Sequence, residues 1–465
     1  MPRINKTTPF LTLHNAVRWS GAANRFSASL LKRTITGFSN DSRTVEKDDV
    51  FVALSTEKDD GHRYVTGALR RGAAAALVAK RKLSLVSDAD ANKLLVVSDP
   101  LKALQRIALK YRRALGIPII GITGSSGKTT TRGFIAAVLK QKLTVGETSG
   151  NLNNHIGVPL SLLRFTGKED VGVIEMGANH AREIHALSLI VGPTIGVITN
   201  IGYAHIGYFG SLAAIARAKM EITDGMSDRG GFLMLNGDDP RLIHAASGMR
   251  RTIVYFGMSR LCHVRARNIR IVDGASTLFE VNGEEYRLAM PGRHFIYGAL
   301  PAIYLGRYFG VPRELIARAI ESMAPLAMRG TLEKKSGATF IVDCYNANPS
   351  SMKSAIDLLR DVSGNKRPVA IVGDMLELGR HSRRLHLALG KQLVRSGVRE
   401  ILAVGQQAPI VEQGALEEGM RQKNITIAAN GAEALEIAKR LVRKNDVVLL
   451  KGSRGVRLET VFEGF

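Results

Sequence analysis

Short apolar runs alternate with longer amphipathic stretches along nearly the whole chain. From about residue 10 to residue 112, apolar runs at 50–54, 75–78 and 94–97 are separated by polar stretches of helical character, which reads as a small α/β domain. The segment 101–115 carries apolar residues at helical spacing, breaks at Gly116 and Pro118, and gives way to a strand at 119–122; the first domain boundary falls there. Strand and helix then alternate again. A strand runs into a glycine loop, a helix follows from Lys128 to about residue 143, and further strands are expected at 171–176 and 196–200. That order implies a doubly wound, mostly parallel sheet. After Met323 the alternation starts afresh, with strands at 340–343, 369–373, 401–405 and 447–450. The expected architecture is α/β in three domains: 1–114, a central 115–322 with a phosphate-binding loop, and a Rossmann-like 323–465.

Composition limits the function classes. With 465 residues, 45% of them hydrophobic, the chain can bury several cores. No uninterrupted apolar run reaches the roughly 18 residues of a membrane span, and the most apolar stretch, 187–198, is broken by Gly192 and Pro193. A soluble protein is expected. Cys262 and Cys344 are too few for a disulfide framework and lack metal-ligand spacing, which fits a reducing compartment. The basic, serine-containing N-terminus has the composition of a transit peptide, but a domain pattern starting near Phe10 leaves little room for one. The formal charge of +24 is spread along the chain, without a basic block or interleaved aromatics. It reads as a solvated surface that attracts polyanionic substrates, and not as a nucleic-acid-reading face.

Chemistry concentrates after the strand at 119–122. The loop Gly124-Ser125-Ser126-Gly127-Lys128-Thr129-Thr130 is a shortened phosphate-binding loop, with Ile122 where the longer form has glycine. Its glycines let backbone N–H groups turn onto phosphate oxygens at a helix N-terminus. Lys128 adds a point charge, and the Thr129 hydroxyl is a candidate Mg²⁺ ligand. Glu175 closes an apolar strand and His205 follows another, so both are candidates for the same metal. Lys219 lies on a helical stretch at 212–222, where a lysine is ordinarily a solvated cation or the partner of a carboxylate such as Glu221.

Three further stretches complete a pattern: Gly150-Asn151-Leu152-Asn153-Asn154-His155, then Asp343-Cys344-Tyr345-Asn346-Ala347-Asn348-Pro349, then Gly373-Asp374-Met375-Leu376-Glu377-Leu378-Gly379. With the phosphate loop they make the chain resemble the Mur ligase family over nearly its whole length. The resemblance implies a cytoplasmic, monomeric enzyme of peptidoglycan precursor synthesis that uses ATP and Mg²⁺, two ions being expected. Its finer form implies the addition of D-alanyl-D-alanine to a UDP-N-acetylmuramoyl-tripeptide through an acyl phosphate. It implies that Ser42, in Asp41-Ser42-Arg43, belongs with Asp60-Gly61-His62 to the UDP-substrate domain, with Asn151 and Asn154 also on substrate. Glu175, His205 and a carbamylated Lys219 would hold metal. Arg329 would reach the ATP phosphates, Asp343 the ribose, and Asn346, Asn348, Lys451 and Arg454 the dipeptide and the closing cleft.

Two departures accompany the resemblance. The family's Gly-x-His-Asn-x-x-Asn-Ala pattern is replaced by Gly292-Arg293-His294-Phe295-Ile296-Tyr297-Gly298-Ala299, which removes both asparagines expected beside adenine. Ser55-Thr56-Glu57 stands where a Lys-Gly-Glu type turn is common. The competing readings are a related ligase with another acceptor, such as a folate polyglutamate or cyanophycin-type enzyme, and a degenerate relative that binds nucleotide without turnover.

Overall fold

The computed structural model describes residues 11–23, 26–227, 230–325 and 327–465. The expected start of the first domain, near Phe10, and the basic N-terminus lie outside them. Among the described residues the chain builds three sheets in sequence.

The first sheet is parallel throughout, with strands Phe38–Ser39, Val50–Val52, Ala75–Ala79 and Leu94–Val97 in chain order. Both of its faces are covered, so the strands are continuous apolar runs without alternation. The helix Pro100–Leu115 follows. It starts where Asp99 accepts the amide hydrogens of Leu101 and Lys102, with Pro100 in the first turn, and stops at Gly116, whose φ of 63° is left-handed. This helix also fastens the first sheet to the second. Arg112 donates to the carbonyls of Val191 and Gly192 at 2.7 and 3.0 Å, and Tyr111 donates to the Phe165 carbonyl.

The central sheet has nine strands. Its parallel part, in spatial order, is Thr252–Gly257, Phe232–Asn236, Ile195–Ile198, Ile119–Thr123, Val171–Glu175 and Val145–Glu147. The order reverses around Ile119–Thr123, which is where an open α/β sheet forms a ligand crevice at its strand C-termini. The helix Lys128–Leu139 ends earlier than expected, at Lys140. The apolar stretch 187–198 is the end of a helix, Glu183–Val191, a left-handed Gly192, and a strand. Val264–Val272, Ser276–Val281 and Glu284–Leu288 extend the sheet, the last two pairings antiparallel; these three and Val145–Glu147, Phe232–Asn236 and Thr252–Gly257 fall outside the strands the sequence predicts. Asn282 and Gly283, at φ of 54° and 79°, make the two-residue turn that joins the final pair, and an Asn-Gly between alternating residues is its signal.

The third sheet is ordered Thr331–Lys335, Ala338–Val342, Val447–Lys451, Pro368–Gly373, Glu400–Val404 and Ile425–Ala428. Only the first pairing is antiparallel. The expected α/β class with mostly parallel sheets is what the structure has. No helix among the described residues is long and apolar enough to cross a membrane.

Candidate active site

The C-terminal ends of the central strands open into a cavity of about 1070 Å³, and its far wall belongs to the third sheet's domain. The phosphate loop forms its floor. Gly124, at φ 145°, is forced by its neighbour, because a Cβ there would lie 1.9 Å from Thr199 Oγ1. Gly127 turns left-handed (φ 77°) and caps the helix Lys128–Leu139, so the helix's free amide hydrogens face the cavity. The loop is held from outside: Asn200 receives the Ser126 amide on Oδ1 at 3.0 Å, and Ser125 bonds both ways with Gly202.

Lys128 is half-buried by surface but deeply surrounded, and desolvation draws its pKa down against the pull of Glu175. Its Nζ donates to the Gly124 carbonyl at 2.9 Å. Glu175, the last residue of its strand, is 1% exposed. Its Oε1 accepts from Asn153 at 2.7 Å and from Thr129 Oγ1 at 3.3 Å, while Oε2 has no hydrogen-bond partner. A buried carboxylate oxygen left without a bond is costly unless something else completes it, and a hard divalent cation suits that oxygen beside a threonine hydroxyl. No group of three His, Cys, Asp or Glu residues suited to a metal occurs among the described residues. Thr129 and Glu175 are in contact and His205 lines the same cavity, donors of the kind a hard divalent cation takes together with phosphate oxygens and water.

His205 lines the cavity in a left-handed conformation, φ 56°, and its Nδ1 is paired with the Glu377 carboxylate from the third domain. Burial holds its pKa below the ordinary imidazole value, with Glu377 opposing. Lys219 lies in the last turn of the helix Leu212–Met220 and is 3% exposed, behind the cavity wall. Its Nζ reaches the Ala178 carbonyl at 3.4 Å and stands over the Phe209 ring at 5.7 Å. Burial, reinforced by Lys128, brings its pKa down to about 7.

The third domain supplies the opposite wall. Asp343 pairs with Lys451 Nζ at 2.7 Å, and burial pushes its carboxyl up while Lys451 opposes. The same Nζ donates to the Asn346 carbonyl at 3.0 Å. Asn348 caps the helix Pro349–Ser363 through the Ser351 amide, which is a structural duty beside its place in the wall. Arg329 stacks on the Tyr345 ring at 4.1 Å and lines the cavity. Asn151 and Asn154 line it from the central domain.

Four expected residues, Ser42, Gly124, Lys219 and Arg454, do not line this cavity. Ser42 lies in the first domain, where its neighbour Asp41 holds Arg43 at 2.8 Å, and Arg454 stands beyond Tyr345, 6.0 Å from its ring centre. The Asp60-Gly61-His62 segment is an internal clasp, since His62 is 2% exposed and accepts the Ala79 amide on Nε2 at 2.9 Å. Asn153 and Glu377 went unassigned in the sequence although both fall inside quoted motifs. Arg132, 4.0 Å from Glu175 Oε2 and donating to the Thr148 carbonyl at 2.6 Å, gave no signal, because on a helix it reads as a solvated cation.

The expected adenine end is lined by His294, Phe295, Tyr297 and Gly298. Burial lowers His294 to about 4, so it is a neutral imidazole, and its ring lies 4.1 Å from that of Phe295.

Comparison with known proteins agrees with this geometry. The Mur ligase family catalytic domain matches residues 34–121, the Mur ligase middle domain 122–306, and the Mur ligase glutamate ligase domain 328–454. A UDP-N-acetylmuramoyl-tripeptide--D-alanyl-D-alanine ligase of Bacillus subtilis is 34% identical over 92% of both chains. A crystal structure of MurF from Acinetobacter baumannii superposes with a TM-score of 0.87 at 30% identity, covering 98% of each chain. The MurF ligase of Thermotoga maritima in complex with ADP superposes at 0.80, with 29% identity, 94% of this chain and 98% of that one. Three matched domains in family order, meeting around a phosphate loop and a buried carboxylate, place the chain in the Mur ligase family.

Proposed function

We propose that the chain is an ADP-forming, ATP-dependent ligase that joins D-alanyl-D-alanine to UDP-N-acetylmuramoyl-tripeptide, acting as a cytoplasmic monomer in peptidoglycan precursor synthesis. The observation that carries this reading is one cavity holding the phosphate loop, Lys128 and the incompletely bonded Glu175 on one side and Arg329 and Lys451 on the other. Relatives bearing that activity in their names align over nearly their full length.

Joining a carboxylate to an amine in water is uphill, so the acid must first be activated. The tripeptide's terminal carboxylate attacks the γ-phosphorus of ATP, ADP leaves, and the dipeptide amine displaces phosphate from the acyl phosphate. Charge neutralisation and alignment dominate such a step. Lys128 and the loop amide hydrogens bind the phosphates from below, and Arg329 meets them from the third domain. Thr129, Glu175 and His205 fit Mg²⁺, which supplies further neutralisation of phosphate charge when bound. Asn151, Asn154, Asn346 and Asn348 orient the two peptide substrates, with Ser42 on the UDP end and Arg454 at the rim.

Carbamylation of Lys219 belongs to the same reading. A pKa of about 7 leaves a large share of neutral amine near neutral pH, able to attack CO₂ and release one proton. The carbamate replaces a poorly bonded buried cation by an oxygen donor. The domain division at 114/115 and 322/323 assigns UDP, ATP and dipeptide in turn.

A second reading, nucleotide binding without turnover, draws on the missing asparagines at Phe295 and Gly298. A coupled phosphate-release assay over a panel of UDP-N-acetylmuramoyl-peptides and acceptors separates the two. Release that requires both the tripeptide and D-alanyl-D-alanine is expected; ATP binding with no release under any pairing would overturn the ligase reading.

A further inference from the structure

Glu377 makes a contact that none of the roles above requires. It stands at the tip of a loop after the strand Pro368–Gly373, and its carboxylate bonds to Nδ1 of His205, 172 residues earlier in the chain and in the central domain. The two backbones are clasped as well. The Glu377 carbonyl accepts the Gly207 amide at 2.9 Å, and a Cβ on Gly207 would come within 2.8 Å of that oxygen. His205 and Glu377 are both left-handed, at φ of 56° and 61°. Strained non-glycine backbone on each side of an interface persists only where the surroundings over-determine it.

The loop that carries Glu377 is fixed to its own domain. The Met375 amide donates to Nε2 of the fully buried His386 at 3.0 Å, and the Leu376 amide to Oγ of the buried Ser453 at 2.9 Å. Asp374 accepts the amides of Gln406 and Gln407, each at 2.9 Å. Glu377 is thus offered on a rigid arm.

Stability does not explain the pair. The side chains are 24% and 39% exposed, and an ion pair that open contributes little. Its directional effect is larger. A carboxylate that accepts a hydrogen bond from Nδ1–H fixes the imidazole tautomer and ring orientation, leaving the Nε2 lone pair as the one available to a metal.

We propose that Glu377 is a positioning residue: it orients His205 for the metal from across the domain interface, so that the metal site is completed only when the third domain is docked. The proposal rests on the reading of His205 as a Mg²⁺ ligand. It also makes closure and metal binding reciprocal, since whatever favours one favours the other.

The test uses the full chain and Mn²⁺ as the probe, followed by electron paramagnetic resonance with ADP present. Glu377→Ala is expected to weaken Mn²⁺ about 10- to 100-fold, and to raise by a similar factor the Mg²⁺ concentration needed for half-maximal phosphate release. Its thermal midpoint and the KM for dipeptide should stay at the parent's values. Glu377→Gln, whose amide oxygen still accepts from Nδ1, should recover most of the affinity. In the double variant with His205→Ala, loss of Glu377 should add nothing further, because it acts only through His205. Mn²⁺ affinity in Glu377→Ala within about twofold of the parent, or tighter than the parent, overturns the proposal and leaves the ligase reading intact. A parent chain that releases phosphate but does not lose Mn²⁺ affinity on His205→Ala removes the ligand assignment and the proposal with it.

Discussion

Lys219 makes a quantitative prediction about stability and pH. The residue is 3% exposed, and its ammonium has one long bond to a carbonyl and one ring face and feels Lys128 nearby. Burial lowers its pKa from 10.5 to about 7 in the folded chain. The sign follows from proton counting: between these values the unfolded chain binds one more proton than the folded one, so stability rises with pH. Below about pH 7 the penalty is fully present, and it fades as pH climbs toward 10.5. At about 1.4 kcal/mol per pH unit the full penalty is on the order of 5 kcal/mol. Lys219→Met keeps the stem's volume and removes the charge. In urea unfolding without bicarbonate, the methionine variant should exceed the parent by a few kcal/mol at pH 6, with the gap closing by pH 10. Labelled bicarbonate near pH 8 should give a carbamate carbonyl NMR signal in the parent and none in the variant. A gap that is independent of pH, or a variant less stable at pH 6, would refute the argument.

Other expectations follow from single contacts. Lys128→Ala should lower phosphate release by at least about a hundredfold, the usual cost of losing a preorganised cation at developing charge; retained activity would remove Lys128 from phosphate binding. Arg112→Ala deletes two charge-assisted bonds to carbonyls at the end of the helix Glu183–Val191. It should destabilise the chain by about 2–3 kcal/mol in urea unfolding, and a change within the noise would mean that these two bonds do not help hold the first domain. At the base end, where Phe295 and Gly298 offer no amide, kcat/KM for ATP over GTP should stay below about a hundredfold. A ratio of about ten thousand would require a hydrogen-bonded reading of the base that these residues do not supply.

Sequence patterning reached most of the parallel strands because strands such as Ala75–Ala79 and Val447–Lys451 are buried on both faces and read as continuous apolar runs. It missed Phe38–Ser39, Val145–Glu147, Phe232–Asn236, Thr252–Gly257, Thr331–Lys335 and Ile425–Ala428, and it missed the extension at 264–288, whose first strand carries Arg265, Arg267 and Arg270. Those arginines read as surface charge, and the signal that was present was the Asn282-Gly283 turn. The phosphate loop was legible because its chemistry is local. Contacts between distant segments were not: Arg132 beneath Glu175, and Glu377 on His205, depend on which strand ends meet, and spacing along the chain carries no record of that. The low pKa of Lys219 was equally hidden, since a lysine followed by a glutamate on a helix reads as a solvated pair until the fold buries it.

The lost asparagines at the base end have a packing explanation that bears on what the site can do. Helix Ile296–Tyr308 lies against helix Lys128–Leu139, and a Cβ on Gly298 would stand 3.0 Å from the Phe134 ring. A side chain at 298 would press on that ring, which would have to give within a core where Phe134 is fully buried. The nearby polar groups are already engaged. Asp238 accepts the Met258 and Ser259 amides at 2.7 and 2.8 Å and the Tyr297 hydroxyl at 2.8 Å, while Asn236 donates to the Thr199 carbonyl at 3.0 Å. What remains to meet a base is the neutral His294 imidazole beside the Phe295 ring, a surface suited to stacking, which is tolerant of base identity. Under the proposed ligase reading, binding energy lost from the base comes from the phosphates, where the helix N-terminus, Lys128 and Arg329 line one cavity. Such a chain relies on its third domain more than one that grips both ends of the nucleotide, because Arg329 belongs to that domain.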